Sequence, residues 1–147
     1  MDVRLGIIGA GAAAAAATYA VRKALPSLEV HVFEKSRGVC GRAAARRRDG
    51  LVYDYGANFL SDKEGRVSRL ITTECSEGLV EIDGPIASFG TDGTVNQPTA
   101  DDTRRWSYVD GITRLAKHLF AHAGVEVHRK TRIVNVRRPQ TPNRPEG

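Results

Sequence analysis

Residues 3–34, VRLGIIGAGAAAAAATYAVRKALPSLEVHVFE, constrain this chain more than any other stretch. Val3, Leu5, Ile7 and Ile8 form a short, β-branched apolar run that favours a strand over a helix. Gly9-Ala10-Gly11-Ala12-Ala13-Ala14 follows and fits G-x-G-x-x-G/A, with alanine in the third place. Gly9 permits the tight turn out of the strand, and Gly11 lets backbone approach a pyrophosphate with no Cβ in the way. Ala14 keeps the next helix close to the sheet. The helix N-terminus then points its unpaired N–H groups and positive dipole end at the phosphates. Residues 12–17 are an unbroken run of the best helix former, Tyr19, Val21 and Leu25 extend it, and Pro26 stops it. Residues 28–33 resume as a strand, and Glu34 stands at its carboxyl end, where an acid accepts hydrogen bonds from a ribose diol. Strand, turn, helix, strand and acid at this spacing imply an adenine dinucleotide site. The competing reading is a plain βαβ unit with a glycine turn, and the terminal Glu34 counts against it.

At 147 residues the chain is one domain's worth and can bury a core. Its net charge of +5 comes largely from arginine, densest at Arg46-Arg47-Arg48. Nucleic-acid binding is disfavoured, because the aromatics are few and are not interleaved with the basic residues. Cys40 and Cys75 show neither a CxxC pattern nor metal spacing, so a reduced cytoplasmic thiol pair is expected. The apolar run at the amino terminus belongs to the βαβ unit rather than to a signal peptide, and no stretch has transmembrane length. The expected protein is therefore cytoplasmic, without membrane or nucleic-acid partners. No internal repeat is present.

Asp49-Gly50 is a strong hairpin signal between strands at residues 42–48 and 51–55. The hairpin brings the loop of residues 37–42 back towards the nucleotide and Arg42 towards a phosphate. The run Glu34-Lys35-Ser36-Arg37-Gly38-Val39-Cys40-Gly41-Arg42, followed by Asp54-Tyr55-Gly56-Ala57-Asn58-Phe59, resembles the flavin-containing amine oxidases, in particular their renalase-like branch of FAD-dependent oxidoreductases. In that family a strand-ending acid is followed by R-x-G-G-R and then by D-x-G-A-x-x-F. The resemblance implies that Glu34 binds the adenosine ribose of FAD and that Arg42 contacts the dinucleotide phosphates. It places Lys35 and Gly41 in the same cofactor-binding run, and Gly56, Ala57 and Asn58 near the flavin. Cys40 departs from the pattern, standing where the family has the first glycine of its pair. A Cβ and a sulfur must fit where only hydrogen is usual, which predicts a loop that sits differently or holds FAD less tightly.

Ser61-Asp62-Lys63-Glu64 reads as a capping box, with Val67, Leu70 and Ile71 at helical spacing after it, so a helix is expected over residues 63–73. Residues 79–82 read as a strand, and residues 86–89 and 94–95 as a hairpin around Thr91-Asp92-Gly93. Glu64, Glu74, Glu77 and Glu81 read as solvated charges rather than acid/base groups. Residues 97–105 are a polar linker. Trp106-Ser107-Tyr108-Val109-Asp110-Gly111-Ile112 resembles the family's short motif before a helix, with Asp110 in the place of proline and Ile112 in that of methionine. Asp110 is read as an N-cap. Ile112, Leu115, Ala116, Leu119, Phe120 and Ala123 then make one apolar stripe, and Gly124 ends the helix. His118 and His122 lie i, i+4 near its end, but no Glu or third ligand accompanies them, so they are read as solvated rather than metal-binding. Residues 125–128 and 133–136 read as strands, the first joining the sheet beside residues 28–33 by a right-handed crossover. By resemblance, Ile133 hydrogen-bonds adenine through its backbone and packs its side chain on the ring. Residues 139–147 are proline-rich, polar and expected to be disordered.

These readings make an α/β protein with a Rossmann-like FAD-binding fold, a parallel sheet and a β-hairpin excursion. The expected organisation is a dinucleotide-binding βαβ unit with its hairpin over residues 1–60 and the start of a substrate-region excursion over 61–110. Residues 111–138 return to the sheet, and 139–147 form a tail. The resemblance spans residues 3–136, the amino-terminal half of the family's length, which predicts a fold incomplete relative to the family. Apolar surface would then be left for self-association or a complementary half. Two functional classes follow. In the first, an FAD-dependent oxidoreductase, the flavin takes a hydride from a small-molecule amine or a reduced nicotinamide, and no side-chain nucleophile is required. In the second, a module binds FAD or an ADP-like ligand without turnover. An NAD-binding Rossmann protein is a third reading, against which residues 37–42 and 54–59 favour FAD.

Overall fold

A computed structural model of the chain describes residues 3–62, 65, 67–84, 87–96 and 103–138. In chain order its elements are β1 (Arg4–Ile8), α1 (Ala12–Ala24), β2 (Glu29–Glu34), β3 (Ala45–Arg48), β4 (Leu51–Asp54), β5 (Leu60–Ser61), α2 (Ser68–Thr73), β6 (Leu79–Glu81), β7 (Ser88–Phe89), β8 (Val95–Asn96), β9 (Arg105–Tyr108), α3 (Thr113–Ala123) and β10 (Val127–Arg129). A single 3-10 turn occupies Gly41–Ala43.

The β-branched run of β1 pairs in parallel with β2, in register from Arg4↔Glu29 to Ile8↔Phe33. β10 joins the far side of β2, also parallel, so the sheet order is β1-β2-β10. Parallel neighbours need a long crossover between them. α1 supplies the first, and the whole excursion from residue 35 through α3 supplies the second. The two helices pack together on one face of the sheet, burying Ala15, Val32, Ala116, Leu119 and Phe120 in one core. The apolar stripe read on α3 is the face it buries. Each large side chain placed there is worth about 1.5–3 kcal/mol of burial. Gly124 ends the helix in the left-handed conformation (φ 62), as expected. Arg22 ties the helix ends together. Its Nε donates to the Ala123 carbonyl at 3.1 Å, one that the end of α3 leaves unpaired, and its Nη1 to the Leu28 carbonyl at 2.8 Å and the Pro26 carbonyl in the loop after α1.

The opposite face of the sheet is more open. Ile8 is 61% exposed there, beside a stack of His31, Phe33 and His128 rings whose centroids lie 5.1 to 6.2 Å apart.

Asp49 (φ 53) and Gly50 (φ 76) both take positive φ, the geometry of a two-residue type I′ hairpin, and they join β3 to β4. The first strand of this hairpin is shorter than expected: residues 42–44 are not strand, because the chain turns through the 3-10 segment there. A second, antiparallel sheet of order β5-β9-β6 has Trp106 and Tyr108 buried on its central strand. The stretch 106–108 is thus a strand and not only a lead-in to α3. The β7–β8 hairpin forms around residues 91–93 as anticipated, though Ile86 lies outside the described residues.

Other expectations are corrected. α2 begins at Ser68 rather than near residue 63. Its amides are capped from a distance, with the Asp62 carboxylate accepting from Val67 and, at 2.8 Å, from Ser68. Lys63 and Glu64 of the capping box lie outside the described residues, as do residues 97–102 of the linker and the tail from 139. Residues 133–136 are not a strand. The alternation is there, but no neighbour pairs with it among the described residues, and Val134 and Val136 are 87% and 74% exposed. Asp110 does not cap α3. It lies in the preceding turn, 3.5 Å from the Arg47 guanidinium, and the acid that meets this end of α3 is Asp54. Glu74, Glu77 and Glu81 are solvent-exposed charges, as expected, each within reach of a cation: Glu74 of Lys23, Glu77 of Arg114 and Glu81 of Arg104. His118 is likewise held, its Nε2 lying 3.0 Å from the Glu77 carbonyl.

Candidate functional site

The carboxyl ends of β1 and β2 meet at the glycine turn. Gly9 leaves β1 with φ 91, a conformation that side chains resist, and its amide donates to the Phe33 carbonyl at 2.7 Å. Gly11 precedes α1 in extended geometry. No side chain caps the helix, and its first turn holds no acid. The first amides of α1 are therefore left for something outside the helix, and that end of the dipole favours an anion. A Cβ built on Gly11 meets nothing within 4 Å, so nothing in the fold itself requires glycine there. The tight helix–sheet approach assigned to Ala14 belongs one residue on: Ala14 is only half-buried, whereas Ala15 and Thr18 are fully buried.

Glu34 closes the site from β2. It is 8% exposed, and both carboxylate oxygens are engaged. Oε2 accepts the Ala10 amide at 2.8 Å, while Oε1 accepts the Ser36 amide at 2.8 Å and the Ser36 hydroxyl at 2.7 Å. Burial by itself pushes this carboxyl up. The three hydrogen bonds and the nearby Lys35 charge outweigh it and hold the pKa below the ordinary carboxylate value.

The loop after β2 is stitched to the turn. The Cys40 amide donates to the Ala10 carbonyl at 2.7 Å, and Gly11 and Cys40 form a parallel bridge. Cys40 takes φ 82, the left-handed region, which explains why a glycine suits this position. Its side chain points into the core and is 2% exposed. The extra Cβ and sulfur have therefore been absorbed by the interior, at the cost of an unfavourable backbone. Burial raises the Cys40 thiol pKa, the Ala116 amide partly opposes that shift, and the charge of Asp54 adds to it. Gly41 (φ 57) follows so closely that a Cβ on it would stand 3.4 Å from the Gly11 Cα.

Gly56 abuts the same loop from β4's side. A Cβ there would fall 1.7 Å from the Arg42 carbonyl oxygen. The Arg42 backbone is thereby positioned, while its side chain extends into solvent and makes no hydrogen bond among the described residues. Ala57 and Asn58 are exposed. The Asn58 amide, oriented by its surroundings, donates to the carbonyls of Gly56 at 2.9 Å and Asp54 at 3.0 Å, so it braces this bend. After β10, the Thr131 amide donates to the Glu34 carbonyl at 2.8 Å, and half-buried Ile133 follows two residues after Thr131.

Gly9, Gly11, Ala12, Glu34, Lys35 and Gly41 are therefore gathered at one end of the sheet, with the Ile133 segment beside them. Gly56 reaches the group through the Arg42 backbone, and Ala57 and Asn58 stand farther out. Three positioning residues escaped the sequence reading. Ser36 holds Glu34. The Thr113 hydroxyl accepts the Ala45 amide at 2.6 Å. Asp54 receives the Ile112 amide at 3.0 and 3.2 Å. Ser36 and Asp54 lie within the motif runs read from the sequence, but nothing in those runs marked either as a positioning residue. No cluster of three or more His, Cys, Asp or Glu suited to a metal occurs among the described residues. No helix among them is long and apolar enough to cross a membrane.

The parallel sheet, the glycine turn and the helix after it define a Rossmann-like α/β unit. Residues 7–73 match the family model of the NAD(P)-binding Rossmann-like domain. Over 68 residues the chain is 38% identical to the mitochondrial protoporphyrinogen oxidase of Nicotiana tabacum, a match that covers 46% of this chain and 13% of that enzyme. Two solved structures share the fold at lower identity. The 2-methyl-3-hydroxypyridine-5-carboxylic acid oxygenase is 19% identical with a TM-score of 0.51, over 86% of this chain and 31% of the oxygenase. A fatty acid isomerase from P. acnes is 22% identical with a TM-score of 0.51, over 69% and 23%. The chain spans less than a third of the length of each of these three proteins.

Proposed function

We propose that this chain binds FAD and serves a flavin-dependent oxidoreductase of the amine-oxidase type, within it the renalase-like branch. The observation that carries the reading is Glu34, a buried carboxylate lowered in pKa and hydrogen-bonded to Ala10 beside an uncapped helix N-terminus. The parts fit an adenine dinucleotide. The open side of Gly11 admits a pyrophosphate without a clash, and the first amides of α1 are donors for its oxygens. Glu34 is an acceptor for ribose hydroxyls, and the Ile133 backbone adjoins it for adenine. Arg42, extended from a fixed backbone, supplies a cation for the phosphates. FAD, when bound, supplies hydride acceptance from a small-molecule amine or a reduced nicotinamide. The chain's own residues bind and orient the dinucleotide and hold the Glu34 charge at neutral pH.

A second reading is favoured by where the gathered residues lie. Gly9, Gly11, Glu34 and Gly41 all serve the adenosine diphosphate end, which FAD, NAD and ADP share. On this reading the chain is a nucleotide-binding module without turnover. One experiment separates the readings: the visible spectrum of the purified protein, followed by melting curves with FAD, NAD or ADP. A ligand that binds only the native state, at a hundred times its dissociation constant, stabilises by about 2.7 kcal/mol. A yellow protein, or a melting rise with FAD well above that with NAD and ADP, supports the flavin reading. Equal rises with all three support the module. Indifference to all three overturns both.

A further inference from the structure

A cavity of about 490 Å³ lies between α3, β10 and the loop that follows β2, and none of Gly9, Gly11, Glu34 or Arg42 lines it. Its size is that of a small-molecule site. Three cations line it: Arg37 from the loop, Lys117 from α3 and Arg129 from the end of β10. None of the three side chains makes a hydrogen bond or ion pair among the described residues. Lys23, Arg104 and Arg114 each meet a glutamate on the surface, whereas Arg37, Lys117 and Arg129 come together on one cavity. Glu126 is the one acid in the lining, leaving two net positive charges. Like charges held together raise the energy of the empty site and lower it when an anion enters. Phe120, Val125 and Val127 offer the same cavity an apolar wall, and Thr113 and Lys117 stand one turn apart on α3.

We propose that this cavity binds a small organic monoanion, a carboxylate on an aromatic or aliphatic body. The carboxylate meets Arg37, Lys117 and Arg129, and the body lies against Phe120, Val125 and Val127. Charge alone would suit inorganic phosphate, and an apolar wall alone would suit a neutral hydrophobe; the combination selects an amphiphilic anion. The two guanidinium forks add directional donors that a carboxylate can accept in pairs. The site is separate from the dinucleotide turn and stands whether or not FAD binds there.

The test is calorimetric titration of the full chain with naphthoate, with naphthylmethanol as its neutral isostere and inorganic phosphate as competitor. Naphthoate is expected to saturate one site. Lys117→Gln and Arg129→Gln should each weaken it about tenfold or more, the loss of one charge-assisted contact. Glu126→Gln should tighten it, and Arg104→Gln, outside the cavity, should leave it unchanged. Gly11→Val should also leave it unchanged, which separates this site from the dinucleotide reading. Three results would overturn the proposal: naphthylmethanol binding as tightly as naphthoate, phosphate displacing naphthoate at equal concentration, or wild-type affinity in the Lys117 and Arg129 variants. Absence of naphthoate binding to a chain shown folded by circular dichroism would overturn it as well.

Discussion

Glu34 Oε2 accepts the Ala10 amide at 2.8 Å, so the acid read from sequence as a ribose ligand also pins the glycine turn to the end of β2. Its second oxygen is held by Ser36. Glu34→Ala leaves the Ala10 and Ser36 amides without their acceptor in a nearly closed site, while the Ser36 hydroxyl keeps the Gly38 carbonyl at 2.8 Å, and the change should destabilise the fold by about 1–3 kcal/mol. Because the folded pKa is lowered, the stabilising contribution of this carboxylate is full above the unfolded value near 4.3 and is lost as pH falls through the folded value. Melting curves of wild type and Glu34→Gln should therefore be well separated above the unfolded value of about 4.3 and draw together only as pH falls through the lowered folded value. Parallel curves across that range would remove Glu34 from the acid response.

Gly11 and Gly56 should separate binding from folding. Gly11→Val adds a side chain where the structure has open space, so its melting temperature should stay close to wild type while FAD-induced stabilisation disappears. Gly56→Ala drives a Cβ into the Arg42 carbonyl and should cost about 1–3 kcal/mol or more, without any ligand present. Equal destabilisation by the two variants would contradict this division.

Cys40 should invert the usual ranking of core substitutions. At an ordinary buried position alanine is better tolerated than glycine. Here alanine keeps the left-handed backbone, a strain of about 1–2 kcal/mol, and loses the sulfur's packing as well. Glycine loses slightly more packing and relieves that strain. Cys40→Ala should therefore melt no higher than Cys40→Gly. A Gly variant less stable than the Ala variant by about 1 kcal/mol, the normal helix-interior order, would show that the strain is not felt. Both thiols are buried and raised in pKa by that burial, so neither should react with iodoacetamide at neutral pH until the protein unfolds.

Asp54 should behave as a remote cap. Its carboxylate accepts the Ile112 amide at the entrance to α3, with the Ser107 hydroxyl 3.4 Å away. Asp54→Ala should cost about 0.5–2 kcal/mol, the range for a lost cap, and Asp54→Asn should recover much of it because an acceptor remains. Chemical denaturation of the three proteins reads this directly. An Asn variant as unstable as the Ala variant would point to the charge rather than the hydrogen bond.

Much of this molecule could be read locally. The glycine turn, the helix after it, the type I′ hairpin and the stripe of α3 each rest on neighbouring residues whose conformational preferences or periodicity suffice. The lesson of residues 133–136 is the converse. Alternating side chains describe a potential strand, but a strand exists only when another chain segment accepts its hydrogen bonds, and pairing here ends at Arg129. The cap on α3 failed for a related reason. Asp110 had the right chemistry in the right place, yet Asp54, far earlier in sequence, reached the helix through the fold of the hairpin.

By itself the sequence determined the βαβ unit and its open turn, because Gly9, Gly11 and the alanine run act over a few residues. Only the tertiary structure decided that Glu34 holds Ala10, that Cys40 takes a glycine's backbone with its sulfur in the core, and that three cations converge beside α3. Those features join segments dozens of residues apart. Burial, charge and hydrogen-bond satisfaction act through space, and no local propensity records which distant groups will meet.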